Sequence, residues 1–354
     1  MNILIIGAGQ SGRGFIPQYI PKDWRIVFVD KNVELISELE DKKNYKIEYY
    51  NSNKHKIIQL NAAYTWDNTN VDCEIKEADY IAICVGEQNF DDVVTELRPR
   101  LANKKSNTLI VTFENGTNPA SKFEKKLNLS GFMLNISITQ AAIFCTTSND
   151  GLIDIKSQDI HYLPYDRERV DHEILLENAT PIMKFTSFLE RKIFTYNCLS
   201  AVISYLGYLK GYKILSDAAN DVDILKTIDI FSNNLNPALA IYFNVSINDQ
   251  NLFFNQAMKK FQDPFCIDTI ARNCRDVNRK LGLSERLFGP INLIEKYGYN
   301  ADILFDVVAA ACLYEKQTFN TNSIDMLLEA TQLGSDNIWI EKSINKYNLM
   351  INHK

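Results

Sequence analysis

The first thirty residues constrain the fold more tightly than any other stretch. Asn2-Ile3-Leu4-Ile5-Ile6 is a short apolar run, and Gly7-Ala8-Gly9-Gln10-Ser11-Gly12 follows without a gap. A second apolar run, Ile26-Val27-Phe28-Val29, ends in Asp30. Strand, glycine turn, helix, strand and carboxylate in that order form the arrangement that holds a dinucleotide at the edge of a parallel sheet. Gly7 permits the tight turn, and Gly9 leaves room for a pyrophosphate beside the backbone. Gly12 lets the helix lie close to the sheet. The helix start offers free N–H groups and a positive dipole end to phosphate. Asp30, eighteen residues after Gly12, can accept hydrogen bonds from a ribose diol and repels a 2′-phosphate, so NAD rather than NADP is the expected cofactor.

A chain of 354 residues is too long for one ordinary core, so two domains are expected. The formal net charge is −6 and no long basic run exists, which argues against nucleic acid as a partner. No stretch of about 18 apolar residues is present, so no membrane span is expected. Met1 leads directly into a strand with no basic segment before it, so no secretory signal is read. The seven cysteines form no CxxC pair, which fits free thiols in a reducing cytoplasm. The four histidines lack metal-ligand spacing. The expected partner is a small molecule.

Strand and helix signals alternate through the first half. Val33–Asp41 reads as helix, 56–60 as a short strand, 78–85 as a buried strand ending in Gly86, and 91–102 as helix. Residues 108–113 and 132–138 are further strands. Such alternation predicts an α/β domain, a doubly wound parallel sheet of Rossmann type, over residues 1–180. Residues 150–180 read as a crossing segment. From Pro181 apolar residues recur at helical spacing to the end, predicting an all-helical domain over 181–354. Pro181 suits the first turn of a long helix and Gly211 its C-terminal end.

Ligands of such sheets bind beyond the C-terminal ends of the strands. Gly86 follows one strand, and its lack of a side chain lets a cofactor pass close by. Glu114-Asn115-Gly116-Thr117-Asn118 follows another. Asn115 there is either an amide near the nicotinamide ring or part of a plain polar turn. The helix after Pro181 carries Lys192, Asn197 and Ser200. At about 100° per residue, Lys192 and Ser200 lie about 80° apart and Asn197 about 60° from Ser200, so all three share one broad face. Lys192 is then either a desolvated base of lowered pKa, with an amide to hold a developing alkoxide, or a lysine that extends its amine into water.

The sequence resembles the mannitol-1-phosphate 5-dehydrogenases and the wider polyol-specific long-chain dehydrogenases. The resemblance rests on three stretches. They are Gly7 through Ile16, Phe188-Leu189-Glu190-Arg191-Lys192-Ile193-Phe194-Thr195-Tyr196-Asn197, and Arg279-Lys280-Leu281 through Glu285-Arg286-Leu287 with Pro290. Tyr205-Leu206-Gly207 and Phe261-Gln262-Asp263-Pro264 add to them. The resemblance implies a Rossmann domain plus a helical substrate domain. It implies hydride transfer between NAD and a polyol carbon, without metal. It assigns the general base to Lys192, the oxygen-holding amides to Asn197 and Asn115, and a neighbouring role to Ser200. It assigns the nucleotide contacts to Gly7, Ala8, Gly9, Gly12, Arg13, Asp30 and Gly86. The implied substrate is a sugar or polyol with or without a phosphate, which Arg275, Arg279, Lys280 or Arg286 could meet, and the implied assembly is a monomer or small homo-oligomer.

Three departures stand out. Ser200 takes the place of the family's histidine, Gly289 that of a lysine in the mannitol-phosphate enzymes, and Thr139-Gln140 that of an Asp-Arg pair. They keep two further readings open: a dehydrogenase of another sugar derivative, such as a hexuronate or nucleotide-linked polyol, and a non-catalytic NAD-binding protein.

Overall fold

A computed structural model describes every residue except Asn51, Asn103, Asn115, Thr117, residues 129–134, Cys266, Ile267, His353 and Lys354. The chain divides into two compact units, Met1–Leu189 and Glu190–Lys354.

The first unit opens with β1 (Asn2–Ile6), the short helix α1 (Gln10–Gly14), β2 (Arg25–Val29) and α2 (Val33–Lys42). Then come β3 (Asn44–Tyr49), β4 (His55–Gln59), β5 (Ala62–Tyr64), α3 (Asn70–Glu77) and β6 (Tyr80–Ile83). After them run α4 (Phe90–Leu101), β7 (Thr108–Thr112), α5 (Pro119–Leu127) and β8 (Ile136–Gln140). Six of these strands form a parallel sheet in the order β5-β2-β1-β6-β7-β8. The order reverses between β1 and β6, the switch point at which such sheets open a crevice for ligands.

The strands are largely apolar because both faces are buried. The period-2 alternation sorts them cleanly. Ile3, Ile5 and Phe28 join one core, while Leu4, Ile6 and Val29 join the other. Helices α3, α4 and α5 cover the second face through Ile75, Phe90, Leu97 and Phe123. The first face is covered by α1 and α2 together with a second sheet.

That second sheet departs from the sequence expectation. Residues 150–180 are not a plain crossing segment. They hold β9 (Thr147–Asp150), β10 (Asp154–Ser157), β11 (Leu163–Asp166) and β12 (Ala179–Ile182). The four-stranded sheet runs β4-β3-β10-β9, with Ile155 of β10 in parallel register with Ile47 of β3. β4 is the strand read at 56–60, but the others are short and keep Lys46, Glu48 and Lys156 at the surface, so β3, β9 and β10 carry too few apolar residues to read as strands alone. Pro181 is corrected as well. It lies in β12, paired with Tyr165 of β11, in a two-stranded ribbon where the missing N–H costs no central ladder bond.

Arg13 ties the second sheet to the glycine turn. The side chain is 2 % exposed. Its Nε donates to the Ala8 carbonyl at 2.6 Å, Nη1 to the carbonyls of Leu152 and Ile153, and Nη2 to Asn149 Oδ1 at 3.0 Å. The Tyr45 hydroxyl donates back to the Arg13 carbonyl at 2.7 Å.

Helix α6 (Phe185–Lys192) spans the boundary between the units and continues as a π-helical turn, Ile193–Asn197, into α7 (Cys198–Leu209). Gly211, at φ +80°, ends this run. The second unit continues with α8 (Leu215–Ala219), α9 (Val222–Phe243), α10 (Ile247–Gln262), α11 (Ile270–Cys274) and α12 (Val277–Lys280). It closes with α13 (Phe288–Lys296), α14 (Asp302–Phe319), α15 (Ser323–Thr331) and α16 (Ile338–Asn352). Helix α14 is its centre, with an unbroken buried run from Val307 to Tyr314. Among the described residues no helix is long and apolar enough to cross a membrane.

Replacing Arg13 with leucine strands the two buried carbonyls of Ala8 and Ile153 and frees that of Leu152. At about 1–3 kcal/mol for an unmet buried polar group, the expected loss is on the order of 3 kcal/mol or more, seen as a lower urea midpoint with the slope unchanged.

Candidate active site

The glycine turn has the shape its sequence requires. Gly7 adopts φ +97°, and a Cβ there would sit 2.6 Å from the Cys84 carbonyl oxygen. A Cβ on Gly12 would lie 1.9 Å from the Gly7 carbonyl oxygen, so only glycine lets α1 start this close to β1. Gly9 is extended, and a Cβ there would meet nothing within 4 Å. Its surroundings are open on the side where a pyrophosphate would pass.

Asp30 sits at the tip of β2 and is braced by the turn itself. The Ala8 N–H donates to its Oδ2 at 2.6 Å and the Asn32 N–H to its Oδ1 at 2.9 Å. These bonds use two of about four carboxylate lone-pair sites, leaving acceptors for a diol. A pocket of about 470 Å³ opens here, lined by Gly7, Gly9, Asp30, Trp66, Val85 and Val93 among others. Its size is that of a small-ligand site. Trp66 and Val93 supply flat and apolar walls that sequence reading had not singled out. Asp92 and Glu96 also line it, against Lys31 as the one cation among its described lining residues. The Lys31–Asp92 pair is 3.9 Å apart and exposed, so it contributes little. The pocket thus fits the adenosine end of a dinucleotide and opposes an added 2′-phosphate.

Arg13 needs a correction. Its donors are taken up by the Ala8 carbonyl within the turn and by oxygens of residues 149–153, so it shapes the backbone of the cradle instead of reaching into the pocket.

At the ends of β6 and β7, Gly86 takes φ +84° and its N–H donates to Glu114 Oε1 at 2.8 Å. Burial pushes the Glu114 carboxyl up to about 7 against the pull of that bond, and neighbouring Glu87 adds to the rise. Asn115, the expected amide of this loop, lies outside the described residues. Thr139 and Gln140 are buried and bonded within the fold. Thr139 Oγ1 donates to the Asp166 carbonyl, and Gln140 joins the Ala120 N–H to the Asp166 carboxylate. Their difference from the family pattern is therefore one of internal bonding.

In the second unit, Lys192 is 5 % exposed, which removes the reading of a lysine reaching into water. Asn197 and Ser200 are half-buried. The helical projection needs a correction here. In a regular α-helix residues 192 and 197 would be about 140° apart. The Cys198 N–H instead donates to the Ile193 carbonyl, an i→i+5 bond. A π turn brings residues five apart onto one side, which rotates Asn197 toward the Lys192 side.

Ser200 Oγ donates to Asn273 Oδ1 at 3.0 Å, and Lys280 Nζ donates to the Asn273 carbonyl at 2.5 Å. Lys280 is 4 % exposed, and burial with the nearby Arg286 charge pushes its amine down to about 7. Arg286 is also largely buried and meets Glu285 at 3.4 Å. The four basic residues expected to meet phosphate thus separate. Arg275 and Arg279 are exposed, whereas Lys280 and Arg286 are enclosed. Gly289 packs on the π turn, and a Cβ there would lie 2.5 Å from the Phe194 ring.

Glu114 gives this site a pH signature. Its carboxyl titrates higher in the folded than in the unfolded chain, so it costs stability as pH rises from about 4.5 to about 7. Glu114→Gln is expected to be more stable than the parent at pH 8, by on the order of 3 kcal/mol, and equal to it below pH 4. Urea titrations at the two pH values test this.

Comparison with known proteins places these features. Residues 1–153 match the mannitol dehydrogenase Rossmann domain, and residues 184–347 match the mannitol dehydrogenase C-terminal domain. The mannitol-1-phosphate 5-dehydrogenase of Thermoanaerobacter pseudethanolicus is 26 % identical over 328 residues, covering 87 % of this chain and 84 % of that protein. The mannitol-1-phosphate 5-dehydrogenase of Mycoplasmopsis pulmonis is 28 % identical over 330 residues, covering 89 % and 87 %. Pseudomonas fluorescens mannitol 2-dehydrogenase, solved with NAD and D-mannitol, superposes with a TM-score of 0.79 at 14 % identity, covering 100 % of this chain and 92 % of that one. The two domain matches span nearly the whole length, and the chain belongs to the mannitol dehydrogenase family.

Proposed function

We propose that this chain is an NAD-dependent oxidoreductase that interconverts a polyol phosphate and a ketose phosphate, with mannitol 1-phosphate and fructose 6-phosphate as the first pair to test. The observation that carries the reading is Lys192, a lysine only 5 % exposed and immediately before a π turn. The braced Asp30 pocket supports NAD, and the similarity to several mannitol-1-phosphate 5-dehydrogenases supports the substrate class.

Bound NAD would supply the acceptor for the hydride. Gly7, Gly9 and Gly12 leave space for its pyrophosphate, and Asp30 accepts from its ribose. Lys192 takes the proton of the substrate hydroxyl during oxidation and returns it to the carbonyl oxygen during reduction. The neutral amine of Lys192 is the form that serves as the general base. Asn197 donates its amide N–H to the same oxygen and holds the alkoxide as charge develops. Asn115 is assigned a second such amide. Lys280 and Arg286 form the anion-binding part of the site and take the substrate phosphate. We assign the protein to the cytoplasm, acting as a monomer or small homo-oligomer.

A second reading draws on Ser200 and Gly289. Ser200 is bonded inward to Asn273, and Gly289 is closed off by Phe194. Where relatives carry longer polar side chains, this chain contributes little reach. A different sugar derivative, such as a hexuronate or a nucleotide-linked polyol, is the substrate class this change of polar contacts would suit. NADH oxidation measured against fructose 6-phosphate, other ketoses and their phosphates, and ketouronates separates the two. Turnover on fructose 6-phosphate supports the first reading, and silence there with turnover on another ketose supports the second. Silence across the panel with NADH still bound favours a non-catalytic protein.

Two variants test the residue assignments. Lys192→Ala is expected to lower kcat by ~10²–10⁴-fold, the worth of a general base, while NADH affinity is unchanged in a fluorescence titration. Asp30→Ser is expected to weaken NADH binding and to narrow its preference over NADPH by about tenfold or more, as a lost carboxylate repulsion and hydrogen bond predict.

A further inference from the structure

The π turn after Lys192 is braced from helix α10 by a buried polar bridge. Gln250 is 0 % exposed and uses both ends of its amide. Its Oε1 accepts from Arg191 Nε at 2.8 Å, and its Nε2 donates to Thr195 Oγ1 at 3.1 Å. The same Nε2 lies 3.4 Å from Asn236 Oδ1 of α9. Thr195 is itself 0 % exposed and belongs to the π turn. Two neighbours of Gln250 on α10 reinforce the bridge. The Asp249 carboxylate meets the Arg191 guanidinium at 2.8 Å. The Phe253 ring takes that guanidinium 4.6 Å from its centroid and Tyr196 edge-on at 4.9 Å.

These contacts grip the residue before Lys192 and two residues of the turn that separates it from Asn197. π turns have poorer hydrogen-bond geometry than α-helix and survive where the surroundings hold them. Reversion to α-helical register would carry Asn197 about 140° from Lys192. A buried amide with both ends engaged is costly to leave unmet, so it selects one register. We propose that Gln250 is a positioning residue, which through Arg191 and Thr195 holds the π turn and so keeps Lys192 and Asn197 on one side of the helix. It touches no substrate and acts through the turn. The proposal rests on the assignment of Lys192 as the base.

The test uses the full-length protein and the ketose identified by the substrate panel. Thr195→Val keeps the shape and removes the acceptor for Gln250. Gln250→Leu removes the bridge itself. Thr195→Ser keeps the hydroxyl. A displacement of the order of 1 Å costs ~10²-fold in rate, so both disruptive variants should lose 10- to 100-fold in kcat. KM for the ketose and the Kd for NADH should stay within about threefold, and Thr195→Ser should stay near the parent. Thermal melts and circular dichroism show which variants are folded. If Gln250→Leu does not fold, Thr195→Val decides alone. Lys192→Ala is assayed alongside. An inactive Lys192→Ala with a folded Thr195→Val at parental kcat overturns the positioning role and leaves the base intact. Full turnover in Lys192→Ala, or no turnover in the parent on any ketose, overturns both. A lower melting temperature at unchanged kcat assigns Gln250 to stability alone and also overturns the proposal.

Discussion

The mouth of the parallel sheet depends on the backbone path from Gly7 to Gly12, and a guanidinium holds that path from behind. Arg13 bonds carbonyls and one amide oxygen, and one of those carbonyls belongs to Ala8, inside the turn. From the other side the Ala8 N–H reaches the Asp30 carboxylate. One residue of the turn is thus held through its carbonyl by a buried cation and through its N–H by an anion. The carboxylate that would read the ribose is fixed by the loop that would carry the pyrophosphate. Neither could shift without the other.

The sequence made part of this visible. The β1 strand, the glycine spacing and Asp30 were readable because each rests on a local steric or electrostatic requirement. Gly12 is the clearest case, since its lost Cβ would overlap a backbone oxygen. Arg13 was misassigned because its partners, Asn149, Leu152 and Ile153, lie far along the chain, and no local pattern reports on them. The same holds for β3 and β10, which become strands through mutual pairing. The π turn was hidden for another reason. Ile193-Phe194-Thr195-Tyr196-Asn197 keeps a helix-like apolar rhythm, and a one-residue change of hydrogen-bond register leaves no mark in composition. Trp66 and Gln250 gave no sequence signal either, and Glu114 was visible only as part of its loop, because each is defined by enclosure or by a partner on another element.

On the helical unit the departures from the family pattern acquire a shared physical sense. Ser200 is short and turns toward Asn273, whose carbonyl is also held by Lys280. Gly289 gives its volume to Phe194, a residue of the π turn. A loss of reach at one position and a gain of packing at the other fall on the same stretch of helix. Both changes bear on the helical run that carries Lys192, and the lysine itself is buried.

The pairing of β10 with β3 has a consequence for biogenesis. Ile155 lies beside Ile47, and Arg13 closes on residues 149–153. The glycine turn leaves the ribosome well before the contacts that fix its shape, which come more than a hundred residues later in the chain. Closing so long a loop is slow and is not rewarded until the late strand arrives. During translation the early strands therefore remain an incomplete sheet with an uncovered apolar face, and a nascent chain stalled before residue 149 is a ready client for chaperones.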